Sequence, residues 1–170
     1  AAEKLEHKKI GKKESWLFLN APDSGWIYGG CACQTKEDIQ KAIDENRMKD
    51  VTDHICINRN DYVCVDAGTL HAMTAGSLVY EIEYGSNYTY RFYDYDRVDD
   101  SGNKRELHID KALYAINTQK RPKVQPSVFS GWISEEFYEI CRMQSVDYYM
   151  NRSREIECIA VLDGSGKEEG

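Results

Sequence analysis

A mainly β sandwich or barrel is the fold class this sequence predicts, from three observations. Apolar residues recur in many short runs, few segments carry helical spacing, and turns centred on glycine separate the runs. Residues 15–20 (SWLFLN) and 25–33 are rich in aromatic and β-forming types and read as the first two strands. Pro22, Asp23 and Gly25 between them are turn chemistry.

The strongest helix follows. Thr35 is placed to cap it, Glu37 and Asp38 favour its first turn, and Ile39, Ala42 and Ile43 recur at helical spacing towards Met48. From 53 to 97 the pattern is strand, turn, strand. Ile55 and Ile57 flank Cys56, NRND turns the chain, Val63 and Val65 follow, and SLVYEIEYG makes the next run. TYRFYDYDR alternates large aromatics with charged residues at period two and is expected to be a strand with two unlike faces. DDSGN is a second turn, and 109–116 is expected to form a short helix. Two of the three prolines fall in KRPKVQP, so 1–118 reads as one domain, 119–126 as a linker, and 127–170 as the start of a second unit. Within that unit, FSGWISEEFYEICRMQS and EIECIAVLDGSG are strand-like.

Bulk properties exclude several functions. A net charge of −7 argues against nucleic acid or an anionic membrane as partner, because both call for a basic face. One small anion needs only a few local Lys and Arg residues. No apolar run reaches membrane-spanning length, and the first thirteen residues are polar, with no secretory signal. The cysteines follow no disulfide framework. Cys56, Cys64 and Cys158 sit in apolar runs and are expected to be reduced core residues, which favours the cytoplasm. Cys31 and Cys33 lie one residue apart without a second pair, a weak zinc signal set against alternate sides of a strand.

Two segments carry candidate chemistry. GKKESW sets a charged cluster against the first apolar strand, and AGTLHA places His71 in a turn between strands. A carboxylate and an imidazole on neighbouring strands of a small barrel can share a divalent ion, though spacing alone favours a core or turn histidine bonded to backbone.

GKKESW resembles the GK-x-E-x-W segment of class I mannose-6-phosphate isomerases of the short bacterial form. VDAGTLHAM is similar to their second cupin motif, and YEIEYGSNYTYRFYDYDR with RVDDSGNKRELHIDKAL to the stretch that follows. The resemblance runs over about residues 2–166. It implies a cupin jelly roll, the beginning of a second cupin-like unit, and zinc-dependent interconversion of mannose 6-phosphate and fructose 6-phosphate. Glu14 and His71 match two metal ligands. Lys12, Glu81 and Arg91 match residues with catalytic roles, and Arg97 matches a substrate-binding one. Arg91 is the residue expected to stabilise the charge of the enediolate. The family's other two ligands come from a Q-x-H-P motif that does not occur in this sequence, and His7, His54 and His108 lack ligand motifs.

Other departures are Asp66 for the usual Pro, Asn60 for a turn Gly, Glu83 and Tyr84 for paired glutamines, and Asn87 for an active-site Asp. They open an alternative, a non-catalytic cupin module that binds a sugar phosphate. The chain is expected to be truncated at both ends, with exposed sheet edges that pair copies into a homodimer.

Overall fold

A computed structural model of the protein describes residues 1–95, 97–126, 131–143, 149–150 and 155–167. Its described elements are α1 (Ala2–Glu6), β1 (Lys13–Asn20), β2 (Trp26–Cys31), α2 (Lys36–Asp44), a 3₁₀ turn (Met48–Val51) and β3 (Thr52–Cys56). There follow β4 (Tyr62–Val65), β5 (His71–Ala72), β6 (Leu78–Tyr84), α3 (Ile109–Ala115), β7 (Lys123–Gln125), β8 (Gly131–Ser134) and β9 (Glu139–Arg142). The strands form one sheet in the order β6-β1-β4-β7, a second in the order β3-β2-β5, and the hairpin β8-β9. The mainly β expectation is met.

Period two on β1 decides what lies between the two larger sheets. Trp16 and Phe18 join Ile27, Ile57, Val63 and Val65 in one buried cluster. Removing each such side chain from water contributes about 1.5–3 kcal/mol. Glu14 lies on the same face as Trp16 and is only 5% exposed, so the core itself places a carboxylate among apolar neighbours. β1 is held in antiparallel register on both sides, with Glu14 opposite Val65 of β4 and Glu83 of β6, and Trp16 opposite Val63 and Glu81.

The helices close one end. α2 is capped as expected, the Thr35 hydroxyl accepting from the Asp38 amide at 3.2 Å. Ile39, Ala42 and Met48 pack with Phe92, Ala112 of α3 and Ile116. Asn60 takes φ 71 in its turn, so asparagine does there what a glycine would. The DDSGN turn also forms, the Gly102 amide donating to Asp99 O at 2.9 Å.

Three expectations are corrected. TYRFYDYDR is not a strand. Its described residues follow a loop, because alternation is a side-chain signal while a strand needs a ladder partner. The loop instead buries Phe92 and Asp94 on one side and offers Arg91 O to the amide of His108. Asp96 of that motif lies outside the described residues. IECIAVL forms no strand either, and Ile156 is 95% exposed. Among the cysteines expected in the core, Cys64 is buried, whereas Cys56 and Cys158 are exposed; all six are free thiols.

The segment 119–126 contains β7, which adds to the edge of the first sheet beside β4. The β8-β9 hairpin then packs on the outer face of that sheet, where Ile133 and Ile140 meet Tyr62 and Cys64. The rest of 127–170 falls partly outside the described residues. Lys13 fixes the hairpin by an ion pair with Glu135 at 2.8 Å, both side chains about one-seventh exposed (14% and 15%). That contact pushes the Lys13 ammonium well above its usual pKa. Tyr62 also donates to Glu135 at 3.3 Å. Glu135→Ala is therefore expected to cost about 1–3 kcal/mol of hairpin docking. Limited proteolysis checks it: cleavage within 131–142 should accelerate several-fold while β1 stays protected.

Candidate active site

A cavity of about 560 Å³ opens between the sheets, α1, and the loops carrying Arg91 and Arg97. Its wall includes Lys12, Glu14, His71, Arg91 and Arg97, five of the six residues singled out from sequence. Glu81 stands beside the cavity on edge strand β6, accepting from Trp16 Nε1 at 2.8 Å.

His71 is oriented by the turn before it. Its Nδ1 donates to the carbonyl of Thr69 at 2.8 Å, which turns Nε2 towards Glu14 Oε2 at 3.5 Å. Trp16 flanks the imidazole edge-on, with ring centroids 5.3 Å apart. The turn is clamped from behind: Gly68 has φ +82, its carbonyl accepts from the amide of Asn117 at 2.9 Å, and a Cβ there would lie 2.8 Å from Ala115 O. Gly68→Ala combines left-handed strain of about 1–2 kcal/mol with that collision. The variant should lose at least that much stability in urea unfolding and lose the aim of His71 with it.

Charge is concentrated around Glu14. Lys12 Nζ lies 2.7 Å from Glu14 Oε1 and 2.5 Å from Glu83 Oε1. Burial acts most strongly on Glu14 and would raise its pKa, but the bonds from His71 and Lys12 prevail and hold it down at about 2. Burial would lower Lys12, yet its two carboxylate partners keep it raised. Glu81 moves the other way: burial raises it and outweighs the Trp16 bond, and the charges of Glu14 and Glu83 add to the rise. Glu14, Glu81 and Glu83 each bring a carboxylate oxygen within 4.8 Å of the others.

Arg91 lines the cavity and has no ion pair among the described residues. Arg97 donates to Asp94 Oδ1 at 2.6 Å. Cys33 is not part of this centre. Burial, then neighbouring Cys31, push its thiol up to about 11, away from the thiolate a metal needs. His54 stacks on Trp26 at 3.7 Å, and His108 precedes α3 near Tyr90.

Sequence reasoning passed over Glu83 as a ligand-class residue, and also Thr69, Asp94 and Arg105. Glu83 was detectable, since it stands two residues after Glu81 and therefore on the same strand face. The carbonyl of Thr69 carried no such signal, because any residue type has one.

A mainly β fold with an imidazole and a carboxylate converging on one cavity is the arrangement that the resemblance to the cupin isomerases implies. No protein-family profile matches the chain. It is 39% identical to "Probable mannose-6-phosphate isomerase GmuF" of Bacillus subtilis over 70% of its own length and 38% of the relative's. It is 29% identical to a mannose-6-phosphate isomerase of Streptococcus mutans over 96% of its own length and 54% of the relative's. The crystal structure of mannose 6-phosphate isomerase from Bacillus subtilis superposes with a TM-score of 0.63 at 31% identity, covering 81% of this chain and 43% of that one. The chain is thus a relative of the mannose-6-phosphate isomerases in both sequence and fold. It spans about half the length, or less, of the curated relatives it matches.

Proposed function

We propose that this chain carries the metal and sugar-phosphate site of a zinc-dependent mannose-6-phosphate isomerase. The observation that carries the proposal is the pairing of His71 Nε2 with Glu14 Oε2 at 3.5 Å, the ring aimed by the Nδ1 bond to Thr69. That donor set fits a divalent ion: a buried carboxylate and an imidazole of fixed orientation, with Glu81 and Glu83 oxygens close by. Glu14 and His71 would hold zinc, which when bound polarises the sugar's carbonyl as a Lewis acid.

The chain's own residues supply the rest. Isomerisation takes a proton from C2 of the aldose and returns one to C1, through an enediol. Glu81, its proton affinity raised by burial and by two neighbouring carboxylates, is suited to hold that proton. Lys12, between two carboxylates on the cavity wall, donates to a sugar oxygen. Arg91 is placed to stabilise the negative oxygen of the enediolate, and Arg97 to meet the phosphate. The whole reaction calls for a small-molecule partner and no nucleic acid. Among the described residues no helix is long and apolar enough to cross a membrane. Free thiols and an acidic composition support a cytoplasmic setting, and edge strands β6 and β3 support pairing between copies. A second cupin-like unit beginning at 127 belongs to this proposal through the family resemblance alone, since the described hairpin 131–142 packs on the first sheet.

A metal-free module that binds a sugar phosphate is the second reading. It is favoured by Lys12, whose ammonium bridges Glu14 and Glu83 and balances their charge without an ion. Zinc content after exhaustive dialysis separates the two. Near-stoichiometric zinc, with isomerase activity on mannose 6-phosphate, supports the enzyme; a chain that takes up no zinc even when it is supplied supports the module.

A further inference from the structure

At the end of the cavity where a second crevice of about 160 Å³ adjoins it, Asp94 gathers two guanidinium groups. Its residue is 8% exposed, and Oδ1 accepts from Arg97 Nη2 at 2.6 Å, with Arg105 Nη1 at 3.4 Å. Arg97 is tied down further, its backbone N and its Nε donating to Asp94 O at 3.0 and 3.3 Å. Oδ2 of Asp94 is buried and has no hydrogen-bond partner among the described residues. A buried carboxylate that served only to neutralise these arginines would saturate both oxygens, since a bare one is costly. Here the arginine side chains stay about half exposed (59% and 49%) on the wall shared by the cavity and the crevice.

The main cavity holds a third cation near this end. Lys49 Nζ and the Arg97 guanidinium lie 5.3 and 5.4 Å from the centre of the Tyr95 ring. Among the described residues Asp94 is the only carboxylate in ion-pair contact with any of these three cations, on a chain whose net charge is −7. Lys12, Glu14 and His71 border the main cavity but not the crevice, so the positive end and the carboxylate–imidazole centre occupy different parts of the wall. That polarity fits a ligand with a dianion at one end and hydroxyls or a carbonyl at the other.

We propose that Arg97 and Arg105 act as the two arms of a phosphate clamp, with Asp94 as the positioning residue that holds both guanidiniums at the cavity wall. The identity of the sugar rests on the isomerase reading above; the clamp itself does not. Arginine suits the role because its planar fork can give paired N–H bonds to one phosphoryl group. The loose 3.4 Å contact of Arg105 leaves that arm free to turn onto the ligand.

Calorimetric titration of the intact chain with inorganic phosphate at fixed ionic strength tests this, with mannose as the uncharged control. Arg105→Ala should weaken phosphate binding at least tenfold, Arg105→Lys should restore part of it, and mannose binding should be the same in all. Asp94→Asn gives opposite signs for two explanations. Plain charge accounting predicts tighter phosphate once a carboxylate is removed; positioning predicts binding at least fivefold weaker. Unchanged phosphate affinity in Arg105→Ala, tighter affinity in Asp94→Asn, or no phosphate binding by the wild-type chain at millimolar concentration would each overturn the clamp. Should Asp94→Asn fail to fold, the Arg105 pair of variants decides alone. A working clamp in a protein without isomerase activity would refute the enzyme reading and leave the clamp standing. Isomerase activity with phosphate binding indifferent to Arg105 would do the reverse.

Discussion

His71→Ala should lower zinc affinity by more than about 100-fold. Loss of a residue that merely orients a metal ligand costs 10–100-fold, and this substitution removes a ligand itself. Two protein ligands make a weak site, so the measurement has most range in a chain extended upstream by a relative's Q-x-H-P segment. That extension alone should tighten zinc strongly, because it supplies the remaining nitrogen and oxygen donors of a four-ligand centre. Zinc titration against a competing chelator reads both effects. Full zinc affinity in the alanine variant would sink the assignment of His71 and move the ion to Glu14, Glu81 and Glu83, which already crowd their oxygens within 4.8 Å. Thr69 is not interchangeable with His71 in such a test, since its part is played by a main-chain carbonyl that substitution of the side chain leaves in place.

What the sequence reveals here follows the kind of signal each element emits. The first strands and α2 are legible because burial and capping act on side chains: Trp16 and Phe18 on one face, Thr35 ahead of Asp38. Glu14 and His71 were legible only through resemblance to a family. Strand spacing says which face Glu14 occupies but not that β1 and β5 bring it opposite an imidazole across two different sheets. TYRFYDYDR misleads for a related reason. Its alternation is real and puts Phe92 and Asp94 inside, yet the same alternation suits a loop wedged between a cavity and a helical cap. IECIAVL has the composition of a strand but no partner among the described residues. In both cases pairing, the non-local half of β structure, is what composition cannot record. Asp94 shows the complementary failure: within YDYDR it passes for a solvated charge, and only the fold makes it a buried holder of two arginines.

Arg91→Ala should reduce turnover on mannose 6-phosphate by about 10²–10³-fold while leaving bound zinc unchanged. The prediction applies to the Q-x-H-P-extended chain and needs both numbers from one preparation. Arg91 is suited to the task by what it lacks. Arg97 and Arg105 are engaged by Asp94, and Lys12 by Glu14 and Glu83, whereas the Arg91 guanidinium lines the cavity with no ion pair among the described residues. A cation already neutralised by a carboxylate has little left for a charge that develops during reaction. An uncommitted one gives its full field at that moment. The effect should therefore fall on kcat more than on KM, in contrast to Arg105→Ala, where the ground-state phosphate is held and KM should carry the loss. Equal turnover in wild type and Arg91→Ala would remove Arg91 from the mechanism. A loss expressed only as a raised KM would instead make it a third arm of the phosphate site and leave the enediolate to Lys12, the other cation on the wall beside Glu14.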